Sequence, residues 1–446
     1  MDNKTSNIVK PNTSNGNGHI DLATQLPVAQ NKPAASISLV MSLLLSVLLL
    51  GLIDVQIFSP ILPLLSKDFN ISIATAGIAV TAYAITSALW ALFIGPLSDR
   101  FGRLIFLRIA AALFATASLL AFFSERFGVY VGARVLAGLA GGSISACSIA
   151  LVADIVPYER RGKAMGLVGA MYSVAAVAGV PIGAVLAGSF GWRSIYLIFA
   201  VPALLLAIFM HRTQIAVDTQ FVTNGNGATQ RRPASGILDA VRIQLRGYGR
   251  FWTNGDTRSG LLLAISFSAA ATSLLTYLGV WLSQDFNMDV ELVGVVFLTT
   301  GLAALLGAFG GGWMADRLGK RRLIGVSSLA LTAVMLTSYF VQNQAQVFAF
   351  CITGAMAMAV REGPYQALIT EQVEAFERGA YIAMRNSTSQ ISIAATAALC
   401  GVVYQHFGYV AVTSFAATCS LLSAIVVYFA LEPVPEKTQS AAVTKS

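Results

Sequence analysis

The sequence predicts an all-α integral membrane protein with twelve transmembrane helices in two six-helix halves. The prediction depends on an apolar composition, twelve apolar stretches of membrane length, and an internal repeat that relates the two halves. Of the 446 residues, 56% are hydrophobic and 11% are charged, and the mean hydropathy is +0.70. A soluble domain carries roughly 25% charged residues because its surface faces water. The composition therefore excludes a cytosolic enzyme and indicates a chain whose solvent is lipid.

Apolar stretches of roughly 20 residues, long enough to cross a bilayer as a helix, occur twelve times. Residues 1–35, rich in Asn, Ser, Gly and Gln, precede them, and we expect a disordered cytoplasmic tail there. The first half (36–212) and the second half (259–431) are separated by a predicted cytoplasmic loop (213–258), and a cytoplasmic tail (432–446) follows. The predicted spans are 36–59, 73–97, 104–123, 128–153, 164–188, 193–211, 259–282, 292–315, 323–342, 346–368, 380–402 and 408–431.

The net charge of +8 follows the predicted topology. With the N terminus inside, all but five of the 29 lysines and arginines are assigned to inward loops and tails. The five are Lys67, Arg126 and Arg193 in outward loops, and Arg134 and Arg361 within helices. The positive-inside rule describes this bias, so the charge needs no nucleic-acid partner. We expect a multi-pass protein of the cell (inner) membrane with both termini in the cytoplasm.

The cysteines and histidines suggest no cofactor chemistry. The four cysteines lie in apolar stretches, which indicates packed thiols and no disulfide framework. The three histidines are too scattered in the sequence for a metal cluster. No Walker A sequence is present, which argues against ATP-driven pumping. We therefore expect no metal and no cofactor.

The two halves repeat at a constant offset of 217 residues. Two helical halves of the same topology are typical of transporters that work by rocking one half against the other. The repeated segments are Asp68-Phe69-Asn70 with Asp285-Phe286-Asn287, Asp99-Arg100-x-Gly102 with Asp316-Arg317-x-Gly319, Asp154 with Glu371, Arg161-Gly162 with Arg378-Gly379, and Phe190-Gly191-Trp192 with Phe407-Gly408-Tyr409.

Two loops carry a family resemblance. The segment from Gly95 to Arg103, between predicted spans 2 and 3, resembles motif A of the major facilitator superfamily, and the segment from Gly312 to Arg322 resembles its second copy. The resemblance covers nearly all of residues 36–431 and implies the major facilitator fold. It implies a cytoplasmic gate that latches one state of an alternating-access cycle; the alternative is that these charges serve topology alone. The gate residues are Gly95, Asp99, Arg100, Gly102, Arg103, Asp154, Arg161, Gly312, Asp316, Arg317 and Gly319.

Two further segments resemble the twelve-helix drug/proton antiporters. The segment from Arg134 to Gly142 resembles motif B of the fourth helix, in which the arginine is thought to assist proton transfer. Gly179-Val-Pro181-Ile-Gly183 resembles motif C of the fifth helix, the antiporter signature, although Val180 separates a glycine and a proline that usually adjoin. The resemblance implies export of small amphipathic compounds in exchange for protons.

Charged side chains within apolar helices are costly and mark candidate functional sites. With about 1.5 Å of rise per residue, Asp54 and Arg134 lie at similar height in the outer half of the membrane. A carboxyl group in a low-dielectric cavity holds its proton more tightly than in water, so Asp54 is the predicted proton carrier and Arg134 its modulator. Glu362 is the predicted second proton site. The alternatives are an Asp54 that faces external water and an Arg134 with a static hydrogen-bonding role. For Arg361 and Glu362 the alternative is an inner charge network around Glu371 and Arg378.

Several aromatic residues are candidates to line a substrate cavity, with Arg361 as an anion contact. We predict a monomeric secondary transporter, not an enzyme, that exchanges small amphipathic compounds for protons. The alternative is a proton-coupled transporter of one metabolite, such as a sugar, organic anion or lipid. A sensor built on a transporter scaffold is a third interpretation, which no visible extra-membrane domain supports. The aromatic candidates are Tyr83, Tyr172, Tyr277, Trp281 and Tyr365.

Overall fold

A computed structural model describes residues 37–156, 158–212, 247–373 and 378–429, and all regular secondary structure in these ranges is helical. Two predicted gate residues, Asp99 and Arg161, have side chains outside the described part of the structure. Their predicted role therefore stays a prediction. The helices are α1 (Ile37–Gln56), α2 (Phe58–Asp68), α3 (Ile73–Phe101), α4 (Arg103–Phe122), α5 (Phe127–Ile155), α6 (Tyr158–Val174), α7 (Val180–Phe190), α8 (Trp192–Arg212), α9 (Gly255–Thr276), α10 (Leu278–Asp285), α11 (Val290–Leu318), α12 (Lys320–Leu336), α13 (Gln344–Glu371) and α14 (Arg378–Phe429).

Ten helices in the described ranges are long and apolar enough to cross a membrane. One of the ten, Ala380–Phe429, holds two spans, because its backbone leaves the helical conformation at Gly408. The helix α13 has membrane length as well, with 28 residues, and its charged residues Arg361 and Glu362 lower its hydropathy. The described chain therefore contains the twelve predicted transmembrane helices. The first is α1 with α2, the seventh is α9 with α10, and a π-helical segment (Ala175–Gly179) joins α6 to α7 in the fifth.

The first transmembrane helix is longer than predicted. It was expected to end at residue 59, but after a turn at Ile57 the chain continues as α2 to Asp68. Pro60 falls in the first turn of α2, where a helix does not need the backbone N–H that proline lacks. Apolar length alone therefore underestimated this helix.

The predicted central loop (213–258) is also partly helical. Residues 247–253 are helical, and α9 begins at Gly255, four residues before the predicted span. Tyr248 and Phe251 are buried against the second half, and the ring of Phe251 lies 5.2 Å from that of Tyr381. Aromatic burial thus extends the second half into a segment that looked polar in the sequence.

The internal repeat is visible in the backbone. Positive φ angles occur at Asn70 and Asn287 (50° each), Gly102 and Gly319 (98° and 82°), and Gly191 and Gly408 (81° and 74°). L-residues with side chains rarely adopt this conformation, so the same three turns are built the same way in both halves. The turns at Gly102 and Gly319 lie at one end of the helices, called the motif end here. The other turns lie at the opposite end, called the far end.

The two halves meet along three helix pairs: α2 with α10, α3 with α14, and α7 with α11. At the far end, Gly279 of α10 lies against the backbone of Ser59 in α2, and its N–H donates to the Ser59 hydroxyl at 3.2 Å. Glycine permits this approach because a side chain there would collide with the opposite backbone. The far end is therefore closed.

The fifth transmembrane helix and α11 separate towards the motif end. The contact of the fifth transmembrane helix with α11 runs from Gly188 beside Val290 to Ala176 of the π-helical segment beside Gly301, and α6 touches α11 much less. Beyond this point Phe309 of α11 is 74% exposed. The two halves thus pack closely at the far end, and the fifth transmembrane helix diverges from α11 towards the motif end.

Candidate functional site

Asp54 and Arg134 form a buried ion pair between α1 and α5. The Nη1 atom of Arg134 donates to both carboxylate oxygens of Asp54, each at 2.8 Å. Both residues are 2% exposed. The structure thus joins the two charges that the sequence analysis placed at similar height. Burial makes this pair sensitive to change, because removing one partner would leave an uncompensated charge.

Aromatic rings complete the surroundings of Arg134. Its guanidinium lies 4.9 Å from the centre of the Tyr83 ring and 5.9 Å from that of Phe58. The glycines of the motif B segment make room for Tyr83: a Cβ at Gly138 would lie 2.5 Å from its carbonyl oxygen, and one at Gly141 would lie 2.0 Å from its hydroxyl. These glycines therefore let α3 approach α5 and place a π-face beside the arginine.

The motif C glycines set the position of α1. A Cβ at Gly179 would lie 2.5 Å from Cγ1 of Ile53, and one at Gly183 would lie 1.5 Å from Cδ1 of Ile57. Asp54 directly follows Ile53 and precedes Ile57 by three residues. Pro181 lies at the start of α7, directly after the π-helical segment. A movement of the fifth transmembrane helix therefore acts directly on the part of α1 that carries Asp54.

Two tyrosines near the ion pair were missed in the sequence analysis. The hydroxyl groups of Tyr130 and Tyr196 lie 2.5 Å apart and are buried, and both interact electrostatically with Arg134. Tyr130 lies one helical turn before Arg134 on the same helix, a spacing that could have suggested it. Tyr196 lies in α8, and only the fold brings it to this place.

Glu362 belongs to a second polar group, at α13 and α14. Its Oε1 atom accepts a hydrogen bond from Gln366 at 3.0 Å and pairs with Nη2 of Arg385 at 3.4 Å. Arg385 also donates through Nε to the hydroxyl of Tyr365 at 3.5 Å. The sequence analysis counted Arg385 among inward loops, but the structure places it within α14, where its side chain is 16% exposed.

Tyr172 of the first half faces this group. Its side chain is half exposed, and it interacts electrostatically with Arg385 and Glu362 of the second half. The Glu362 side chain is itself 51% exposed. The polar group of α13 and α14 therefore borders the space between the two halves.

Arg361 lies in a different place from its neighbour Glu362. It is 1% exposed inside the second half, and Nη1 donates to the hydroxyls of Ser328 at 3.2 Å and Ser420 at 3.3 Å. Its guanidinium lies 3.8 Å from the centre of the Phe267 ring, and it forms no ion pair with a described residue. The structure thus does not bring Arg361 to the surface between the halves, where an anion contact was expected.

The other predicted cavity residues are packed. Tyr277 donates its hydroxyl to the carbonyl of Ala397 at 2.5 Å where the halves meet, and Trp281 stacks on Tyr409 at 4.5 Å. Tyr365 is fully buried and donates to the carbonyl of Gly260 at 3.1 Å. Of the five aromatic candidates, Tyr83 lies beside the Asp54–Arg134 pair, and Tyr172 and Tyr365 lie beside the polar group of α13 and α14.

The motif end carries two ion pairs related by the repeat. Arg103 pairs with Asp154 at 2.7 Å, and Lys320 pairs with Glu371. Arg103 and Lys320 each follow a glycine of positive φ, and Arg103 also donates to the carbonyl of Ala150. In each half, the ion pair connects the turn that follows one transmembrane helix with the end of another transmembrane helix of that half.

The remaining described gate residues lie at the helix ends. Gly95 accepts a hydrogen bond at its carbonyl from the Ser98 hydroxyl, and Gly312 has open space around it. Arg100, Asp316 and Arg317 are exposed. The guanidinium of Arg317 lies 3.9 Å from the centre of the Trp313 ring. These charges are accessible where the two halves diverge.

The sequence profile of the Major Facilitator Superfamily matches residues 44–280 and 260–445. The chain belongs to the major facilitator superfamily. This is a family of transporters, so the chain is a multi-pass membrane transporter of small molecules. The twelve described transmembrane helices in two repeated halves are the fold of this family.

Several relatives share most of the chain. An uncharacterized MFS-type transporter of Bacillus subtilis (strain 168), YceJ, is 26% identical over 83% of this chain and 90% of its own length. The purine ribonucleoside efflux pump NepI of Salmonella paratyphi C (strain RKS4594) is 22% identical over 81% of this chain and 86% of its own. The crystal structure of a D-xylose-proton symporter, 18% identical, covers 89% of this chain and 98% of its own, with a TM-score of 0.70.

Proposed function

We propose that this major facilitator protein exports small amphipathic compounds in exchange for protons, with Asp54 as the proton carrier and Arg134 as its modulator. The observation that carries the proposal is the buried contact of both Asp54 oxygens with Arg134. An adjacent cation favours the ionised carboxylate, so the proton binds when the pair separates. The ion pair then has two states: it is closed when Asp54 is ionised and separated when Asp54 carries the proton.

The fifth transmembrane helix provides the link between this pair and the movement of the halves. Gly179 and Gly183 pack on Ile53 and Ile57 beside Asp54, and the same helix contacts α11 of the other half. When the halves rock, this helix shifts against α1 and changes the distance between Asp54 and Arg134. The resemblance of these segments to motifs B and C, and the efflux pump among the relatives, support an export function.

The topology proposed for this cycle places the motif end in the cytoplasm of the cell (inner) membrane. The lysines and arginines concentrated at this end support it through the positive-inside rule. The described conformation, closed at the far end, is then inward-facing. Arg103–Asp154 and Lys320–Glu371 would hold the gate loops within each half while the halves move as units. We propose a monomer, because each half carries its own ion pair and the substrate path lies between them.

A second candidate is proton-coupled transport of one polar metabolite. The polar group of Glu362, Gln366 and Arg385 favours it, because hydrogen-bonding side chains at a half-exposed place suit a substrate rich in hydroxyl or amide groups. The D-xylose-proton symporter, which shares the fold, is consistent with such chemistry on this scaffold. In this candidate Glu362 is the second proton site.

The test uses purified protein in liposomes with an imposed pH gradient and a pH-sensitive dye inside. Cationic drugs, organic anions, sugars and nucleosides are added in turn to wild type, Asp54→Asn and Asp68→Asn. Asp68 is a matched control, because it also pairs with an arginine, Arg193, but lies at the exposed far end. Size-exclusion profiles and thermal unfolding establish that each variant is folded.

Proton movement evoked by several unrelated drugs, lost in Asp54→Asn and kept in Asp68→Asn, is the expected result. A response to a single metabolite class would favour the second candidate. If Asp54→Asn couples protons to substrate as well as wild type does, Asp54 is not the proton carrier, and Glu362→Gln is the next variant to measure.

A further inference from the structure

The internal repeat gives a comparison between two equivalent carboxylates at the far end. In the first half, Asp68 accepts hydrogen bonds from Nη1 of Arg193 at 2.5 Å and from Nε1 of Trp192 at 3.3 Å. The guanidinium of Arg193 also lies 5.6 Å from the centre of the Phe69 ring and 4.4 Å from that of Trp192. This carboxylate therefore has a cation held beside aromatic rings.

The second half keeps this arrangement but not the cation. Asp285 and Phe286 repeat Asp68 and Phe69, and Tyr409 repeats Trp192, but Val410 stands at the place of Arg193. Asp285 is exposed and forms no ion pair with any residue in the described ranges. The repeat thus leaves one carboxylate without the positive charge that its copy has.

Asp285 lines a cavity of about 480 Å³ at the far end. Ligand pockets for small molecules have volumes of about 300 to 1,000 Å³, so the cavity has room for a small organic molecule. The two halves both contribute to its wall, the first through the start of α3 and the end of α2. The lining residues are Ser66, Ser72, Ile73, Gln284, Asp285, Tyr404, Gln405, His406 and Gly408.

The carboxylate of Asp285 gives the wall a negative charge, which favours a cation that donates hydrogen bonds. The hydroxyl of Ser66 already donates to the carbonyl of Ile71 at 2.6 Å, and that of Tyr404 donates to Oε1 of Gln284 at 3.3 Å. The carboxylate of Asp285 accepts a hydrogen bond from Trp281 and keeps acceptor capacity for a planar cation with N–H groups. Charge and geometry therefore select a small organic cation.

We propose that this cavity binds a small organic cation of the guanidinium or amidinium class. The cation pairs with Asp285 in the same way as Arg193 pairs with Asp68. The wall comes from both halves, so the site is complete only while the far end is closed. A bound cation therefore stabilises the far-end-closed state and slows the transport cycle, because a ligand shifts an equilibrium towards the state it binds better. The site is separate from the Asp54–Arg134 pair, and its contacts with the cation involve neither that pair nor the transported substrate.

The binding test uses benzamidine as the probe and benzamide as its uncharged analogue of nearly the same shape. Calorimetry and thermal unfolding of the purified full chain in lipid nanodiscs measure the affinity. The variants are Asp285→Asn, Val410→Arg, which supplies the missing cation from the chain itself, and Asp68→Asn as the matched control.

We expect saturable benzamidine binding to wild type and to Asp68→Asn, and at least tenfold weaker binding to Asp285→Asn and Val410→Arg. If Val410→Arg does not fold, the comparison of Asp285→Asn with Asp68→Asn decides alone. Equal binding of benzamidine to wild type and Asp285→Asn, equal binding of benzamide, or no binding up to about 10 mM overturns the proposal.

A distance measurement tests the state that the cation selects. Spin labels at Lys67→Cys and Gln342→Cys occupy exposed far-end positions on the two halves, outside the cavity lining. Benzamidine should increase the population with a short label-to-label distance, and this increase should be absent in Asp285→Asn. A shift towards longer distances would overturn the proposed state selectivity.

Discussion

Substitution of Gly279 by alanine should open the far end. A Cβ at this position would lie 2.3 Å from the carbonyl oxygen of Ser59, 2.8 Å from its carbonyl carbon and 3.0 Å from Cα of Pro60. All three atoms belong to the backbone of α2, so no side-chain rotation can relieve the collision. The helices α2 and α10 must separate by about 1 Å to reach ordinary contact distances.

The free-energy cost follows from this contact. Overpacking of a well-packed interface costs about 1–3 kcal/mol. The hydrogen bond from the Gly279 N–H to the Ser59 hydroxyl, 3.2 Å long, stretches beyond bonding distance and adds about 0.5–1.5 kcal/mol. Both contacts join the two halves, so the cost falls only on the far-end-closed state. Together the two costs shift the equilibrium by about 1.5–4.5 kcal/mol, which changes the ratio of the two states roughly 10- to 2,000-fold.

The assay is the distance distribution between spin labels at Lys67→Cys and Gln342→Cys in nanodiscs, without ligand. Gly279→Ala should move the population from short to long distances. Gly128→Ala is the matched control, because Gly128 lies at the far end of α5 with open space around it. A distribution for Gly279→Ala equal to that of wild type would refute the reasoning that close backbone packing holds the far end shut.

Two further predictions concern buried charges. Arg134→Met should lower the free energy of unfolding by about 3–5 kcal/mol because it leaves Asp54 buried without a partner, and Asp54→Leu combined with Arg134→Met should restore most of it. A double-variant that stays as unstable as Arg134→Met would contradict this. Arg361→Met should leave the thermal unfolding temperature unchanged or raise it, because Arg361 is buried with hydroxyl groups and no carboxylate. A fall of several degrees, which in a chain of this length corresponds to several kcal/mol, would contradict it.

The sequence predicted those features of the fold that depend on local composition. Twelve transmembrane helices, their halves and the motif-end turns at Gly102 and Gly319 follow from apolar length and from the repeat. The four cysteines, predicted to be packed thiols, are buried and form no disulfide within the described ranges. Helix ends were less well predicted, because the first turn of α2 tolerates Pro60 and because the buried aromatic residues Tyr248 and Phe251 lie outside the apolar stretches.

The sequence predicted only the part of the candidate site in which two charged residues lie within apolar helices. Asp54 and Arg134 were found in this way, since their depths in the membrane could be estimated from the sequence. Arg385 was missed because it lies near the end of a predicted span and was counted as a loop charge. Tyr196 could not be found, because no sequence spacing relates α8 to Arg134.

The sequence by itself determined that this chain crosses a membrane twelve times and is built from two copies of one unit. Hydropathy and repetition are local properties, and each can be read without knowing what a helix touches. Only the tertiary structure decided which charges have partners: Asp54 meets Arg134, Arg361 is buried among hydroxyls beside its paired neighbour Glu362, and Asp285 lacks the cation of its copy. Such pairing depends on helix rotation and on contacts between distant segments, and neither is encoded at any one position of the chain.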